Sequence, residues 1–445
     1  MNTVLVQLDK LIIVYKSKKL SFVQFNILCN IWRHRFLKMH LKSGTSIALL
    51  GEVSPDYLAA IVAIFSLECT VVFCSIRDPI HVTKIWLKSL NCKYLINFNF
   101  EKLMSYTCKY EFYNYNCIII NPYKCYTLFR TSGTSNTPKN VLHKLISHFI
   151  SAFAVNDVLR FNQEDCWLLS LPIYHISGFS IFIRACIANA SIIINIKTKN
   201  FLYNIAKYKI SHISLVNTQY IMMLQQDKIM NLLSRLKAII LGGGPISNLK
   251  LLEAKKKGLN IFWTYGLTET ASMVYVKDNW MKNVSYKIMN DGEILIKSPT
   301  LFDGYVSSKH INYSKDHDGF FRTGDLGYLD KNKKLKIIGR KDNMIISGGE
   351  NIYPEEIENK ILDLDYIKYA IVVPVKDKTY SNILAAFIKF TAVNNLFFLK
   401  KYLIHELPKF KVPRFYFNWP IDVNYYDIKI LRYKFIKLAD KLVFS

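Results

Sequence analysis

The chain has 445 residues, of which 51% are hydrophobic, and its formal net charge is +26. This length exceeds what one hydrophobic core usually organises, and the apolar content is ample for globular domains. The charge is compatible with nucleic acid, an anionic membrane surface or small anionic ligands, but its lysines are scattered. No basic stripe with interleaved aromatic residues is present, so we expect no nucleic-acid partner. Lysine, isoleucine, asparagine, tyrosine and phenylalanine are all abundant, which is typical of an AT-rich genome and explains much of the basicity.

Cysteine usage and the N-terminal residues bear on the compartment. Nine cysteines lie between Cys29 and Cys186 at irregular spacings, without a C-x-x-C pair, so neither a zinc site nor a disulfide framework is predicted. Residues 1–20 lack the features of a secretory leader or transit peptide, so we expect a protein made where it works, in a reducing compartment. The longest apolar run, 58–76, is interrupted by Glu68 and predicts a buried helix followed by a strand, with no transmembrane segment.

From residue 46 onward, short apolar runs alternate with helical stretches. Strands are expected at 46–51, 70–76 and 93–98, with helices at 57–67 and 82–90. The alternation returns further along, with strands at 166–172, 191–196, 212–216 and 237–243 and helices at 179–188 and 202–208. Strands that alternate with helices predict parallel α/β sheets, so we expect two stacked α/β subdomains.

The hydrophobic period changes to two in the segments 292–298 and 333–339, which predicts a small β-barrel. Beyond it, Pro354 opens an acidic helix that is followed by two apolar strands. We therefore expect an α/β protein with a large N-terminal domain at 1–339, a hinge at 340–342 and a smaller α+β C-terminal domain at 343–445.

The loop 131–139, TSGTSNTPK, is a candidate phosphate site. The backbone N–H groups of such a loop can converge on one anion, and Lys139 adds a point charge. Further donors are the hydroxyls of Thr131, Ser132 and Thr134, with Gly133 between them. An ordinary surface turn explains the same residues, so the loop alone leaves both interpretations open.

Two further segments follow predicted strands. Tyr265 offers a stacking face, Thr268 a hydroxyl, and Glu269 an oxygen ligand suited to Mg²⁺. A strand end leading into a helix is the alternative interpretation. The segment Gly243-Gly244-Pro245 allows backbone to lie close to a ligand, but it lacks the G-x-G-x-x-G pattern of a Rossmann dinucleotide site.

Asp325, in TGDLG, could accept hydrogen bonds from both hydroxyls of a ribose. Arg340 could return across a hairpin to the same nucleotide. A structural salt bridge between two turns is the alternative.

The order of these motifs resembles the adenylate-forming, AMP-binding superfamily of acyl-CoA ligases, acyl-adenylating synthetases and luciferases, from about residue 46 to residue 437. The patterns RTGDLGY and GRKDNMIISGGENIYPEEIE are close to its strongest signature. The resemblance implies ATP, Mg²⁺ and coenzyme A. In the family's reaction a carboxylate attacks the α-phosphorus of ATP, which gives an acyl-adenylate and pyrophosphate. A thiol then displaces AMP.

The resemblance also implies residue roles in the first half-reaction. The loop 131–139 would hold the β- and γ-phosphates, Thr268 would touch the α-phosphate, and Glu269 would bind Mg²⁺. The residues expected to flank adenine are Tyr265, Gly243, Gly244 and Pro245, and those expected to hold the ribose are Asp325 and Arg340.

In this family the C-terminal domain is mobile and rotates between the half-reactions. Asp342 matches its hinge, and Lys429 is the candidate catalytic lysine of adenylation. Gly348 and Gly349 would line the pantetheine tunnel. Three residues stand where glycine is usual, namely Asn136, Asn140 and Ile428. Because asparagine tolerates positive φ, we expect a working phosphate loop.

The segment 171–180, LPIYHISGFS, bears on which carboxylic acid is the substrate. His175 matches the position that gates the acyl pocket in relatives that take aromatic acids, and the run resembles 2-succinylbenzoate-CoA ligases of menaquinone and phylloquinone synthesis. A buried histidine at a helix start is the alternative interpretation. Two other functions stay open: another aromatic-acid ligase, coumarate-like or benzoate-like, and a non-catalytic nucleotide-binding relative. No residue is predicted to pair with the second carboxylate of succinylbenzoate.

The AT-rich composition together with a quinone-pathway ligase leads us to expect a plastid-encoded protein of the chloroplast stroma, with the cytoplasm of an AT-rich bacterium as the alternative. Expected partners are a small carboxylic acid, ATP and coenzyme A. Monomer and homodimer both stay open.

Overall fold

The structure is a computed structural model that describes residues 10–16, 18–98, 118–131, 138–194, 205–224, 227–244, 248–307, 310–391, 395–420 and 432–444. In chain order, the helices are α1 (Phe22–Lys38), α2 (Pro55–Ser66), α3 (Ile80–Ser89), α4 (Leu145–Leu159), α5 (Ile176–Ala188), α6 (Asn217–Leu224), α7 (Asp227–Leu233), α8 (Asn248–Lys256), α9 (Pro354–Leu362), α10 (Leu396–Glu406) and α11 (Arg432–Phe444). The strands are β1 (Ile13–Tyr15), β2 (Lys18–Leu20), β3 (Ser46–Leu50), β4 (Thr70–Phe73), β5 (Tyr94–Asn97), β6 (Tyr126–Thr131), β7 (Lys139–Lys144), β8 (Cys166–Leu169), β9 (Ser191–Ile194), β10 (His212–Val216), β11 (Ala238–Gly242), β12 (Ile261–Leu267), β13 (Ser272–Val276), β14 (Asn279–Trp280), β15 (Ser285–Ile288), β16 (Glu293–Lys297), β17 (Gly304–Val306), β18 (Ile311–Asn312), β19 (Phe321–Leu329), β20 (Leu335–Arg340), β21 (Ile345–Ser347), β22 (Glu350–Ile352), β23 (Ile367–Asp377), β24 (Ser381–Phe390) and β25 (Phe415–Asn418).

Two large sheets confirm the two predicted α/β subdomains. The first has the order β18-β17-β7-β6-β4-β3-β5, with β5, β3, β4 and β6 parallel. The second has the order β14-β13-β12-β11-β10-β8-β9-β1-β2 and is parallel from β12 to β1. Its edge strands β1 and β2 come from the N-terminus, and no periodic signal in the sequence predicted them.

Helix α2 shows why the two sheets stack. It begins at Ser54, whose hydroxyl accepts a hydrogen bond from the backbone N–H of Tyr57, and Pro55 occupies the first turn. Its side chains are apolar and buried nearly all round, so the helix needs packing partners on every side. Together with α4 and α5 it forms one continuous core with strands of both sheets.

The segment predicted as a small β-barrel takes the form of an open antiparallel sheet, β15-β16-β19-β20. The short strands β17 and β18 lie in the same part of the sequence but join the first large sheet, because β17 pairs with β7. A separate hydrophobic cluster lies between this antiparallel sheet and strands β12 and β13.

The residues after Asn343 form their own layers, a β21–β22 hairpin and a β23-β24-β25 sheet. Helices α9 and α10 pack on one hydrophobic cluster and α11 on another. A single 3-10 turn, Lys341–Asn343, connects β20 to β21. The predicted hinge at 340–342 overlaps the last residue of β20 and the first two residues of this turn, and the domain boundaries stay predictions. Among the described helices, none has both the length and the apolar character that crossing a bilayer requires.

Candidate active site

A cleft of about 2560 Å³ collects most of the predicted site residues that the structure describes. It opens beyond the carboxyl ends of β6, β10 and β11, where ligands bind in parallel α/β sheets. Predicted residues that line it are Thr131, Lys139, His175, Gly243, Gly244, Tyr265, Thr268, Glu269, Asp325, Arg340 and Asp342. This volume exceeds that of a typical single-ligand pocket, so several ligands fit.

The phosphate loop is described at its two ends. Thr131 ends β6 and Lys139 begins β7, and they are register partners, with the hydroxyl of Thr131 donating to the Lys139 carbonyl at 3.3 Å. The predicted residues Ser132, Gly133 and Thr134 lie outside the described residues, as does Asn136. The ammonium of Lys139 lies 4.9 Å from the ring centroid of Tyr305.

Asn140 corrects one expectation. We expected asparagine to replace glycine there through a positive φ, but Asn140 lies within β7 and is not among the positive-φ residues. Its side-chain oxygen accepts a 2.8 Å hydrogen bond from the indole N–H of Trp86, and its amide nitrogen donates to the Val306 carbonyl at 2.9 Å. The side chain is tolerated because its polar atoms have partners.

Glu269 lies in a 3-10 turn, Thr268–Thr270, that follows β12 directly. The hydroxyl of Tyr305 donates a 2.8 Å hydrogen bond to Oε1 of Glu269, so Tyr305 contacts both Glu269 and Lys139. Burial raises the pKa of Tyr305, and the neighbouring Glu269 carboxylate raises it further. The hydroxyl therefore stays protonated and remains a donor. Mg²⁺ at a nucleotide is held by one or two carboxylates plus phosphate oxygens, and Glu269, whose carboxylate lines the cleft, fits that requirement.

Three donors hold the turn that carries Thr268 and Glu269. The backbone N–H of Phe302 donates to the Glu269 carbonyl at 2.8 Å, and the hydroxyl of Ser151 donates to the Ala271 carbonyl at 2.9 Å. Nε2 of His143 lies 2.7 Å from the Thr268 carbonyl, and since a carbonyl only accepts, Nε2 carries the proton. Burial lowers the pKa of His143 to about 4, so the ring is neutral.

The turn needs that support because its backbone is unusual. Ala271 and Ser272 have backbone φ values of 50° and 105°, which residues other than glycine rarely adopt. Gly266 lies against the same turn, and a Cβ there would lie 2.1 Å from the Ser272 carbonyl oxygen. Sequence reasoning missed His143, whose only signal is an inward-facing position in β7.

Asp325 and Arg340 are register partners across β19 and β20. Nη1 of Arg340 donates to Oδ1 of Asp325 at 2.9 Å, and the hydroxyl of Tyr265 donates to Oδ2 at 2.8 Å. Burial raises the pKa of Asp325, while Arg340 and Tyr265 oppose that shift by stabilising the carboxylate. Each oxygen keeps one further lone pair, so the carboxylate can still accept from a ribose.

Tyr265 has its ring packed in the cluster below the antiparallel sheet, with 9% of its surface exposed at the cleft. Gly243 and Gly244 follow β11, with a φ of 83° at Gly243, and Pro245 lies outside the described residues.

The connection at 340–342 is tied to the N-terminal part. Nη2 of Arg340 lies 3.3 Å from Oδ2 of Asp342. The ammonium of Lys341 donates to Asp291 at 2.7 Å and to Glu293 at 3.3 Å. Gly348 and Gly349 form the turn between β21 and β22 and are not among the residues that line the cleft. Lys429 lies outside the described residues.

The cleft lining also includes His175 and a residue that sequence reasoning missed. His175 precedes α5, with its ring centroid 4.7 Å from that of Tyr174. Arg184, on α5, lines the cleft although only 2% of its surface is exposed. Its Nη2 donates to the Ser272 hydroxyl at 2.9 Å and its guanidinium lies 5.4 Å from the Trp167 ring centroid.

No carboxylate among the described residues pairs with Arg184, and its Nε has no hydrogen-bond partner there. Burial lowers the pKa of Arg184 to about 9, so the group is still cationic at neutral pH. A buried charge without a counterion is costly, so the part of the cleft around Arg184 is a candidate site for an anion. The available signal was a single arginine in the apolar run FSIFIRACIA.

The fold, the cleft and the ordered motifs define a class of protein. The chain belongs to the AMP-binding enzyme family, whose model matches residues 2–306. It is 32% identical over 316 residues to a 2-succinylbenzoate–CoA ligase of Enterococcus faecalis, a match that covers 65% of each chain, just under two thirds of that relative's length.

Solved structures extend the similarity over nearly the whole chain. An o-succinylbenzoate coenzyme A synthetase from Bacillus subtilis, in complex with ATP and magnesium ion, matches with a TM-score of 0.82 and 25% identity over 96% of each chain. The same enzyme in complex with the acyl-adenylate intermediate OSB-AMP matches with a TM-score of 0.81 and 24% identity over 95% of each chain.

Proposed function

We propose that this chain is an ATP-dependent acid-thiol ligase that adenylates 2-succinylbenzoate and transfers the acyl group to coenzyme A. The observation that carries the proposal is the buried Arg184, which has no carboxylate partner among the described residues and lines the same cleft as Glu269, Asp325 and Arg340. The names of the relatives and the ligands of the solved structures support this choice.

In the first half-reaction an oxygen of the acid forms a bond to the α-phosphorus of ATP, and the bond to pyrophosphate breaks. Negative charge grows on the leaving pyrophosphate, so cationic groups near it lower the barrier. Lys139 is placed to supply such charge. Glu269 would hold Mg²⁺, which bridges phosphate oxygens, and Tyr305 holds Glu269 in place. Asp325 and Arg340 would bind the ribose, and Lys429 is our candidate for the lysine of this step.

In the second half-reaction the thiol sulfur of coenzyme A bonds to the acyl carbon, the bond to AMP breaks, and the thiol proton is released. Gly348 and Gly349 are our candidates for the backbone beside the pantetheine arm. Their turn is not part of the cleft lining in this structure.

Charge as well as resemblance supports 2-succinylbenzoate as the acid substrate. Succinylbenzoate carries two carboxylates, of which one reacts and the other needs a counterion once it is buried. Arg184 offers that counterion with one N–H already held by Ser272 and Nε free of described partners. A coumarate or a benzoate has one carboxylate, and with either of them this guanidinium would stay uncompensated.

The finer setting of the reaction is also a proposal. We assign the product to menaquinone or phylloquinone synthesis because of the similarity to 2-succinylbenzoate–CoA ligases. We assign the protein to a plastid because of its AT-rich composition, with an AT-rich bacterium as the alternative. If the source gene were found on a bacterial chromosome, the plastid assignment would be contradicted.

The decisive experiment is ATP–pyrophosphate exchange with 2-succinylbenzoate, benzoate and coumarate, alongside a Glu269→Gln control that should be inactive. We expect exchange with succinylbenzoate above the other two. Exchange with none of the acids would overturn the enzyme assignment, and exchange with coumarate but not succinylbenzoate would overturn the acid.

A further inference from the structure

Helix α10 presents an unusual face to solvent. Its inner side is anchored by Leu399 and Leu403, both fully buried in the C-terminal core. On the opposite side Phe397, Phe398 and Ile404 expose 73%, 58% and 68% of their surfaces. Lys400 and Lys401 are exposed between them. We call these residues, Phe397, Phe398, Lys400, Lys401 and Ile404, the α10 outer face.

Exposed phenylalanine is concentrated here. Of the four phenylalanines classed as exposed among the described residues, three lie at 397, 398 and 410, and the fourth is Phe153 on α4. The rings of Phe397 and Phe398 contact each other, with centroids 5.6 Å apart. Contiguous apolar groups at a protein surface usually mark an interaction site, since each alone would be unremarkable.

The charges around this face have one sign. Between residues 396 and 411 there are four lysines and one acidic residue, Glu406. Glu406 is engaged by Lys360 at 2.7 Å, and Lys411 is engaged by Glu356 at 2.7 Å. Lys400, Lys401 and Lys409 therefore stay uncompensated by any carboxylate in the described ranges. The complementary partner is anionic.

We propose that the α10 outer face docks on an anionic lipid bilayer. Phe397, Lys401 and Ile404 are spaced at i, i+4 and i+7, so they form one stripe along the helix. Aromatic and aliphatic side chains on such a helix insert at the level of the acyl chains. The stem of Lys401 follows the apolar surface while its ammonium group reaches the phosphates of the headgroups. The ammonium of Lys400 lies 5.0 Å from the ring centroid of Tyr416 and adds positive charge beside the face.

A bilayer fits this face better than a protein partner does. The face is the convex side of a single helix, and long lysine side chains beside its apolar groups can reach up to the phosphate layer while the apolar groups enter the acyl layer below it. None of its residues lines the catalytic cleft, so docking leaves the nucleotide site open. This role is independent of the proposed reaction.

The test is co-sedimentation of the full chain with phosphatidylcholine vesicles, with and without phosphatidylglycerol. We expect binding to the anionic vesicles and weaker binding as salt is added. The double variant F397S/F398S should lose about tenfold in vesicle affinity, because two inserted rings are removed. The matched control is Phe153→Ser, which removes an exposed ring from α4 and should bind like the parent. The variant K400E/K401E should lose the preference for anionic vesicles.

Equal binding to both kinds of vesicle, absence of binding, or unchanged binding by F397S/F398S would each overturn the proposal. Sedimentation velocity without vesicles adds a separate outcome. A dimer that dissociates in F397S/F398S would assign the face to a second copy of the chain. ATP–pyrophosphate exchange checks that the variants are folded. If F397S/F398S is not folded, K400E/K401E becomes the variant that tests docking on the anionic bilayer.

Discussion

The hydroxyl of Tyr265 donates a 2.8 Å hydrogen bond to Oδ2 of Asp325, while Arg340 donates to Oδ1 of the same carboxylate at 2.9 Å. These residues come from β12, β19 and β20, and the carboxylate between them is 5% exposed. The side chain expected beside adenine and the one expected at the ribose thus form one hydrogen-bonded unit.

Tyr265→Phe tests that unit. It removes one donor from a buried carboxylate, which should raise the KM for ATP about tenfold while the ring remains. Losing the donor also raises the pKa of Asp325 further, so the acidic limb of kcat/KM for ATP should move to higher pH. The control is Tyr275→Phe, since Tyr275 is not among the residues that line the cleft and its hydroxyl oxygen accepts a 2.9 Å hydrogen bond from the Leu335 N–H. An unchanged profile in the Tyr265 variant would contradict the coupling.

Arg184→Leu tests the proposed anion site at this buried guanidinium. Charged hydrogen bonds of this kind contribute enough that the KM for 2-succinylbenzoate should rise roughly 10- to 100-fold, with little change for ATP. Benzoate, which lacks the second carboxylate, is the matched substrate and should be used no less well than by the parent. Equal losses for both acids would show that Arg184 acts only through the structure of α5.

His143 tests how the catalytic turn is positioned. In His143→Leu the Thr268 carbonyl loses its buried donor, so we expect kcat for exchange to fall about tenfold. His143→Gln can still donate from its amide and should restore most of the rate. His34→Leu removes an exposed histidine from α1 and serves as the control. If the glutamine and leucine variants are equally impaired, the hydrogen bond to Thr268 is not what matters.

Buried histidines predict a pH dependence of stability. Burial lowers the pKa values of His143 and His212 to about 4, and it lowers that of His148 well below its ordinary value. Between about pH 4 and 6.5 the unfolded chain therefore binds more protons than the native one. The free energy of unfolding should fall as pH falls through this window, by up to about 1.4 kcal/mol per unit for each histidine.

Urea unfolding at pH 7 and pH 5 measures this dependence. His212→Gln should have a smaller difference between the two pH values than the parent, and His34→Gln should keep the full difference. A parent protein equally stable at both values would contradict the prediction.

Lys429→Ala separates the two half-reactions. Without the candidate lysine, formation of the acyl-adenylate should fall by more than about a hundredfold, while thioester formation from supplied acyl-adenylate continues. Lys441→Ala, in the same lysine-rich tail but exposed and not among the residues that line the cleft, is the control. Survival of both half-reactions in Lys429→Ala would show that another residue takes this part.

Local pattern was enough to predict much of this molecule. Alternating strands and helices predicted both large sheets, because periodicity reports which side of an element is buried. Segments such as α2, with a serine cap and Pro55, carry their own start signals. The order of the motifs around Glu269, Asp325 and Arg340 was also enough to indicate the family, since those residues are specified one by one along the chain.

Contacts between distant residues were decided only by the tertiary structure. His143 lies under Thr268 because β7 packs on the 268–270 turn, and Arg184 meets Ser272 because α5 packs on β13. No local spacing encodes either meeting. Asn140 was expected to need a positive φ, yet it is accommodated in a strand by Trp86 and Val306. The sequence by itself determined which chemical groups are present and in what order. The packing of the sheets decided which of them are buried, paired or left charged, because burial and hydrogen bonding depend on neighbours far away in the chain.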